Sequence, residues 1–188
     1  MERPGGVMRL KAAVDRLLGG VLAAFMGALV LDVLWQVFTR FVLRDPSSFT
    51  DELARYLLIW VALLGGAYTA GQRMHLAIDL LPSSLHGRRR HAVGALIESA
   101  VLLFAVAVMV VGGARLVGLT LLLGQTSAAL RIPLGWVYTV LPLSGALIAF
   151  YSLVFLGEHL RGLRGDPTAS VPEPAPGEGL APAATEVA

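Results

Sequence analysis

The sequence predicts an all-α membrane protein of four transmembrane helices, and three observations predict it. Hydrophobic residues make up 56% of the 188 residues and charged residues only 15%, with a mean hydropathy of +0.72. The apolar residues gather into four stretches, Leu17 to Val42, Leu53 to Thr69, Val93 to Leu122 and Leu134 to Leu156. Each is close to or beyond the span of about 20 residues that crosses a hydrocarbon core. The polar segments between them are too short to make a soluble domain. The expected organisation is an N-terminal arm over residues 1–16, a four-helix domain over 17–160 and a disordered tail over 161–188.

The first stretch follows Arg3, Arg9, Lys11 and Arg16, and it exceeds the about 7 to 15 apolar residues of a cleaved secretory signal, so it reads as an uncleaved first span. Basic residues recur in the second connection, at Arg73 and Arg88 to Arg90, and after the last span at Arg161 and Arg164. The first connection and its flanks offset Arg40, Arg44 and Arg55 with Asp45, Asp51 and Glu52, and the third holds only Arg131. Positive charge favours the cytoplasmic side, so both termini are expected there.

The first connection is expected to turn at Pro46 and restart a helix at Ser48 or Thr50, with Asp51 and Glu52 at its electropositive N-terminus. Two roles stay open for those acids, helix capping and contact with a partner. In the second connection, His75 to Pro82 mixes apolar and polar residues too closely for a span and suits a segment lying at the interface. Arg88 to Arg90 would there face anionic lipid. The third connection is polar but nearly uncharged, and Pro133 suits the first turn of the last helix. Trp35, Trp60 and Trp136 are expected to form an aromatic belt on one side of the membrane. Beyond Gly165, Pro, Ala, Gly and Glu dominate, a composition unable to bury enough apolar surface to order itself.

Small residues recur every four positions at Ala23/Gly27, Ala62/Gly66/Ala70 and Gly145/Ala149, which lets helix backbones approach closely in lipid. Ionisable residues inside spans are costly, so Asp32, Glu98 and Arg115 need an account. Asp32 and Arg115 can form a structural pair; alternatively Asp32 or Glu98 is a proton or cation site in a small autonomous transporter working as a homodimer. Catalysis finds no support. Phosphate-loop, dinucleotide and His-Glu-x-x-His patterns are absent, and Ser144 has no histidine in any span to activate it. His75, His86, His91 and His159 lack carboxylates at ligand spacing and read as solvated surface histidines, so no metal or cofactor is expected. With no cysteine, thiolate sites are excluded. Nothing beyond one arginine triplet suggests nucleic acid.

Three segments together resemble the small membrane subunit of tripartite ATP-independent periplasmic (TRAP) transporters, the DctQ type. Phe49-Thr-Asp-Glu-Leu-Ala-Arg55 is similar to the family's aromatic-Ser/Thr-acid-Glu-x-x-Arg opening of the second helix, with phenylalanine in place of the usual tryptophan. His75-Leu-Ala-Ile-Asp79 resembles its His-x-x-x-Asp element. Gly124-Gln-Thr-Ser-Ala-Ala-Leu130, continuing through Ile132-Pro-Leu-Gly-Trp-Val-Tyr138, resembles its third-connection signature, with Ala128 where proline is commoner. The resemblance implies an obligate complex with a large DctM-type permease subunit that carries the substrate and ion sites. It also implies a DctP-type periplasmic binding protein, and ion-gradient-driven symport of a carboxylate such as a dicarboxylate or sialic acid. No transport residue is carried over to this chain. Glu52, Arg55, Gln125 and Trp136 are expected on the periplasmic surface, with His75, Asp79, Thr126, Ser127, Pro133 and Tyr138 as further interface or structural candidates.

Overall fold

The computed structural model describes residues 6–44, 48–72 and 88–163. Helix α1 (Gly6–Phe38) runs without a break into a π-helical turn, Thr39–Leu43, and stops at Arg44. Arg44 takes a left-handed conformation (φ 53°), and its N–H returns to the Thr39 carbonyl, closing the helix end. Helix α2 (Ser48–Gly71) runs back alongside it. The third span is one continuous rod in three parts: α3 (Arg88–Phe104), a π-helical segment (Ala105–Gly112) and α4 (Gly113–Leu122). A short helix, α5 (Leu134–Tyr138), then leads into α6 (Val140–Leu163). Four stretches are long and apolar enough to cross a membrane: Arg9–Leu43, Ser48–Gly71, Arg90–Leu122 and Leu134–Leu163.

The helices extend past the apolar stretches at several ends because polar side chains there find partners. Lys11 and Asp15, one turn apart on α1, form an ion pair at 3.0 Å. Within the spans, hydroxyls donate back to their own helix, as Ser99 does to the Ala95 carbonyl (2.7 Å) and Ser144 to that of Leu141 (3.0 Å). In hydrocarbon no water can take that role.

The order of packing is α1 on α2, α2 on α6, and α6 on the third span. The core centres on Leu18, Leu64, Ala67 and Val140, flanked by Phe25, Trp60 and Ile148. Trp60 therefore departs from the expected belt. It meets Phe25 edge to face (centroids 5.7 Å apart) inside the bundle, whereas Trp35 and Trp136 remain exposed. Gly145 makes a close crossing: a Cβ there would lie 2.6 Å from Met109 Cβ and 3.2 Å from the Ala105 carbonyl, so glycine is needed where α6 meets the π-helical segment.

At the end of the bundle that holds the first and last residues of the spans, three helices interlock around Tyr151, which is 1% exposed. Its ring lies over Gly71, its hydroxyl donates to Asp15 Oδ1 (2.6 Å), and Lys11 Nζ sits 5.7 Å from the ring centroid. Nearby, His91 of α3 rests on Gly162 of α6 and His159 of α6 rests on Gly94 of α3, with ring centroids 5.8 Å apart. These two histidines are thus packing residues with buried Nδ1 atoms, and the expectation of solvated surface side chains is corrected for them. A glycine opposite each ring provides the hole. His75, Asp79, His86, Arg73, the proposed interfacial segment, the first-connection turn at Pro46, the side chains of Arg88 and Arg89 and the tail beyond Leu163 lie outside the described residues.

Candidate functional site

At the opposite end, the third connection is a compact loop whose every turn has a local cause. Gly124 ends α4 in the left-handed region (φ 60°), and two bonds close behind it: Gln125 N–H to the Thr120 carbonyl and Gly124 N–H to that of Leu121, both 3.1 Å. The chain then doubles back. Ser127 N–H donates to the Ile132 carbonyl and Leu134 N–H to that of Gln125, both at 2.9 Å, which sets Thr126 opposite Pro133. Proline is tolerated there because this position of an antiparallel pair demands no N–H. Ser127 Oγ accepts from Leu130 N–H (3.2 Å), the geometry of a helix cap, and winds residues 128–130 into a single turn that Arg131 (φ 55°) ends.

That turn aims three N–H groups at one point, and Glu52 occupies it. Ala128 N–H donates to Glu52 Oε1 (3.2 Å), while Ala129 and Leu130 N–H donate to Oε2 (2.8 and 2.9 Å). Tyr56, one turn along α2, donates its hydroxyl to Oε1 at 2.8 Å. Four donors converge on one acceptor group, so the site is built for the ionised carboxylate. Glu52 clamps the third connection to the second span. Asp51 instead accepts from Gln36 Nε2, tying α2 to α1.

The clamp explains why two motifs far apart in sequence belong together. Phe49 to Arg55 supplies the carboxylate, and Gly124 to Leu130 supplies the receptor. The polar side chains Gln125, Thr126 and Arg131 are exposed on the loop, as is Pro133, with Trp136 (67% exposed) and Arg55 exposed as well; Ser127 is buried and Tyr138 half-buried. The sequence separated Glu52 from the loop because backbone N–H groups leave no trace in residue identity. Only Ser127, as a cap preceding a short turn, signalled an anion receptor.

The intramembrane charges sort differently. Asp32 is nine-tenths buried on α1 with Oδ2 unpartnered, while Arg115 is exposed. The pair considered from sequence does not form, whereas Lys11 and Asp15 on α1 do pair. Glu98 is half-buried on α3. Among the described residues no three His, Cys, Asp or Glu side chains gather as a metal would require.

Fold and site together define a small multi-span membrane protein whose specific polar chemistry lies at the helix ends. The sequence pattern of the tripartite ATP-independent periplasmic transporters, DctQ component, matches residues 29–162, and the chain belongs to this family. It is 29% identical over 138 residues to the sialic acid TRAP transporter small permease protein SiaQ of Vibrio cholerae, covering 71% of this chain and 75% of that one. It is 27% identical over 166 residues to the isethionate TRAP transporter permease protein DctMQ of Oleidesulfovibrio alaskensis, covering 85% of this chain but 26% of that longer protein.

Proposed function

We propose that this chain is the non-conducting small subunit of a bacterial inner-membrane TRAP transporter. It braces a large permease subunit and presents a fixed outer surface to a periplasmic binding protein. The observation that carries this reading is the Glu52 clamp, in which four hydrogen bonds fix the third connection to the second span. Such a clamp orders a surface. The distribution of Lys and Arg supports both termini in the cytoplasm and the clamped loop in the periplasm. The relative DctMQ supports the large partner, because the matched region is about a quarter of a longer permease.

The cargo of the assembly is a small organic anion. One relative is named for sialic acid, a carboxylate, and the other for isethionate, a sulfonate, so the carboxylate expectation widens to organic anions in general. Selectivity resides in the partner proteins. Proteoliposomes test this reading, using whichever anion the cognate binding protein retains. Uptake requires this chain, the large subunit and the binding protein together; uptake by this chain alone contradicts it.

A further inference from the structure

Arg115 is an intramembrane charge that the fold leaves on its outside. It is exposed on α4, within the span Arg90–Leu122. Helix α6 is packed along the opposite face of that span: a Cβ at Gly113 would lie 3.0 Å from Pro142 and 3.1 Å from Leu141, and Thr120 is buried. At 100° per residue, Gly113 and Thr120 lie roughly 140 to 160° around the helix from Arg115. Neither Asp32 nor Glu98 answers the charge. Asp32 belongs to α1, with α2 and α6 standing between, and Glu98 lies about 26 Å back along the same span.

The face around Arg115 is low in relief. Gly112 and Gly118 lie one turn before and one turn after it; a Cβ at Gly118 would find no atom within 4 Å, and one at Gly112 only the Ala107 carbonyl of its own span, at 3.9 Å. The arginine also starts in the wrong direction to reach the nearer membrane surface. Leu121, which meets Gly135 beside the exposed Trp136, lies about 9 Å closer to the third connection than Arg115 does. A helical Cα–Cβ bond leans towards the N-terminus of its helix, so the Arg115 stem leaves the backbone away from that end and towards the middle of the span. Charged residues in spans face a protein interior or a water-filled cavity, because hydrocarbon solvates them poorly. On this chain by itself Arg115 faces neither.

Resting on the reading above, we infer that the Arg115 face of the third span is covered by a membrane-spanning helix of the large permease subunit, which brings a carboxylate to the guanidinium. The planar fork of an arginine matches a carboxylate with two parallel hydrogen bonds, and each ion removes the other's cost in hydrocarbon. The two flanking glycines let the backbone that carries the acid come close.

Arg115→Gln and Arg115→Glu replace an exposed side chain. Both are expected to keep this chain's own melting temperature in detergent while retaining about tenfold less epitope-tagged large subunit on purification from membranes. With Arg115→Glu in place, the acids in the spans of the large subunit are changed to arginine one at a time, and one such reversal is expected to restore retention. The chain has no native cysteine, so Leu119→Cys, 55% exposed and one turn along the same face, takes a photoreactive maleimide uniquely; its adduct is expected to join the large subunit. Should either arginine variant melt lower, that adduct, made with Arg115 intact, decides alone. The assignment is wrong if Arg115→Gln retains the large subunit as wild type does, if no reversal restores retention, or if the Leu119→Cys adducts carry phospholipid alone or join two copies of this chain. If wild type itself retains no large subunit, the proposed function fails, and this assignment with it.

Discussion

Glu52 is the residue on which the third-connection end of the molecule depends. Its carboxylate is the common acceptor for Tyr56 and for three consecutive N–H groups of the third connection, and no neutral side chain accepts all four equally well. Glu52→Gln must turn an amide N–H₂ towards donors on one side. It is expected to loosen residues 128–130 and to raise the rate of trypsin cleavage after Arg131 about tenfold; an unchanged rate would show that the loop holds itself. Tyr151 has the corresponding part at the other end. Tyr151→Phe leaves the ring over Gly71 and the Lys11–Asp15 pair in place but removes the 2.6 Å bond to Asp15. A loss of about 1–2 kcal/mol in detergent unfolding is expected.

At the scale of elements, the four spans were legible because hydrocarbon imposes a length and a composition that residue type alone reports. Their ends were less so. Helix α1 extends N-terminal to Leu17 through Lys11 and Asp15, whose polarity argued against a span but whose pairing permits a helix. The π-helical segment was invisible: Ala105 to Gly112 holds no proline or polar residue, and the glycine that lets it pack closely, Gly145, lies on another helix. The histidine rings were misread for a similar reason, since the glycines that receive them lie on the opposite helix. Gly145→Val drives a side chain into Met109 and the Ala105 carbonyl. It is expected to cost about 1–3 kcal/mol in the melting of the isolated chain, whereas Gly66→Ala, in open space within a helix, is expected to cost nothing and to gain up to about 1 kcal/mol.

For the whole molecule, the motifs identified the family from sequence, yet their physical sense emerged only when two of them met. Phe49 to Arg55 and Gly124 to Leu130 were each read as surface. Together they form one internal clamp that leaves Gln125, Thr126 and Trp136 outside. The bundle it stiffens has a chain-like order of helices in which the third span keeps a bare face around Arg115, a shape suited to being one side of a larger body. An autonomous homodimeric transporter would need Asp32 or Glu98 to line a path of its own. Native mass spectrometry of the tagged chain, released from its own membranes in mild detergent, separates the two most directly. The account predicts the 19.9 kDa chain bound to one larger multi-span subunit. A population made up of homodimers, or of the chain alone, would contradict it.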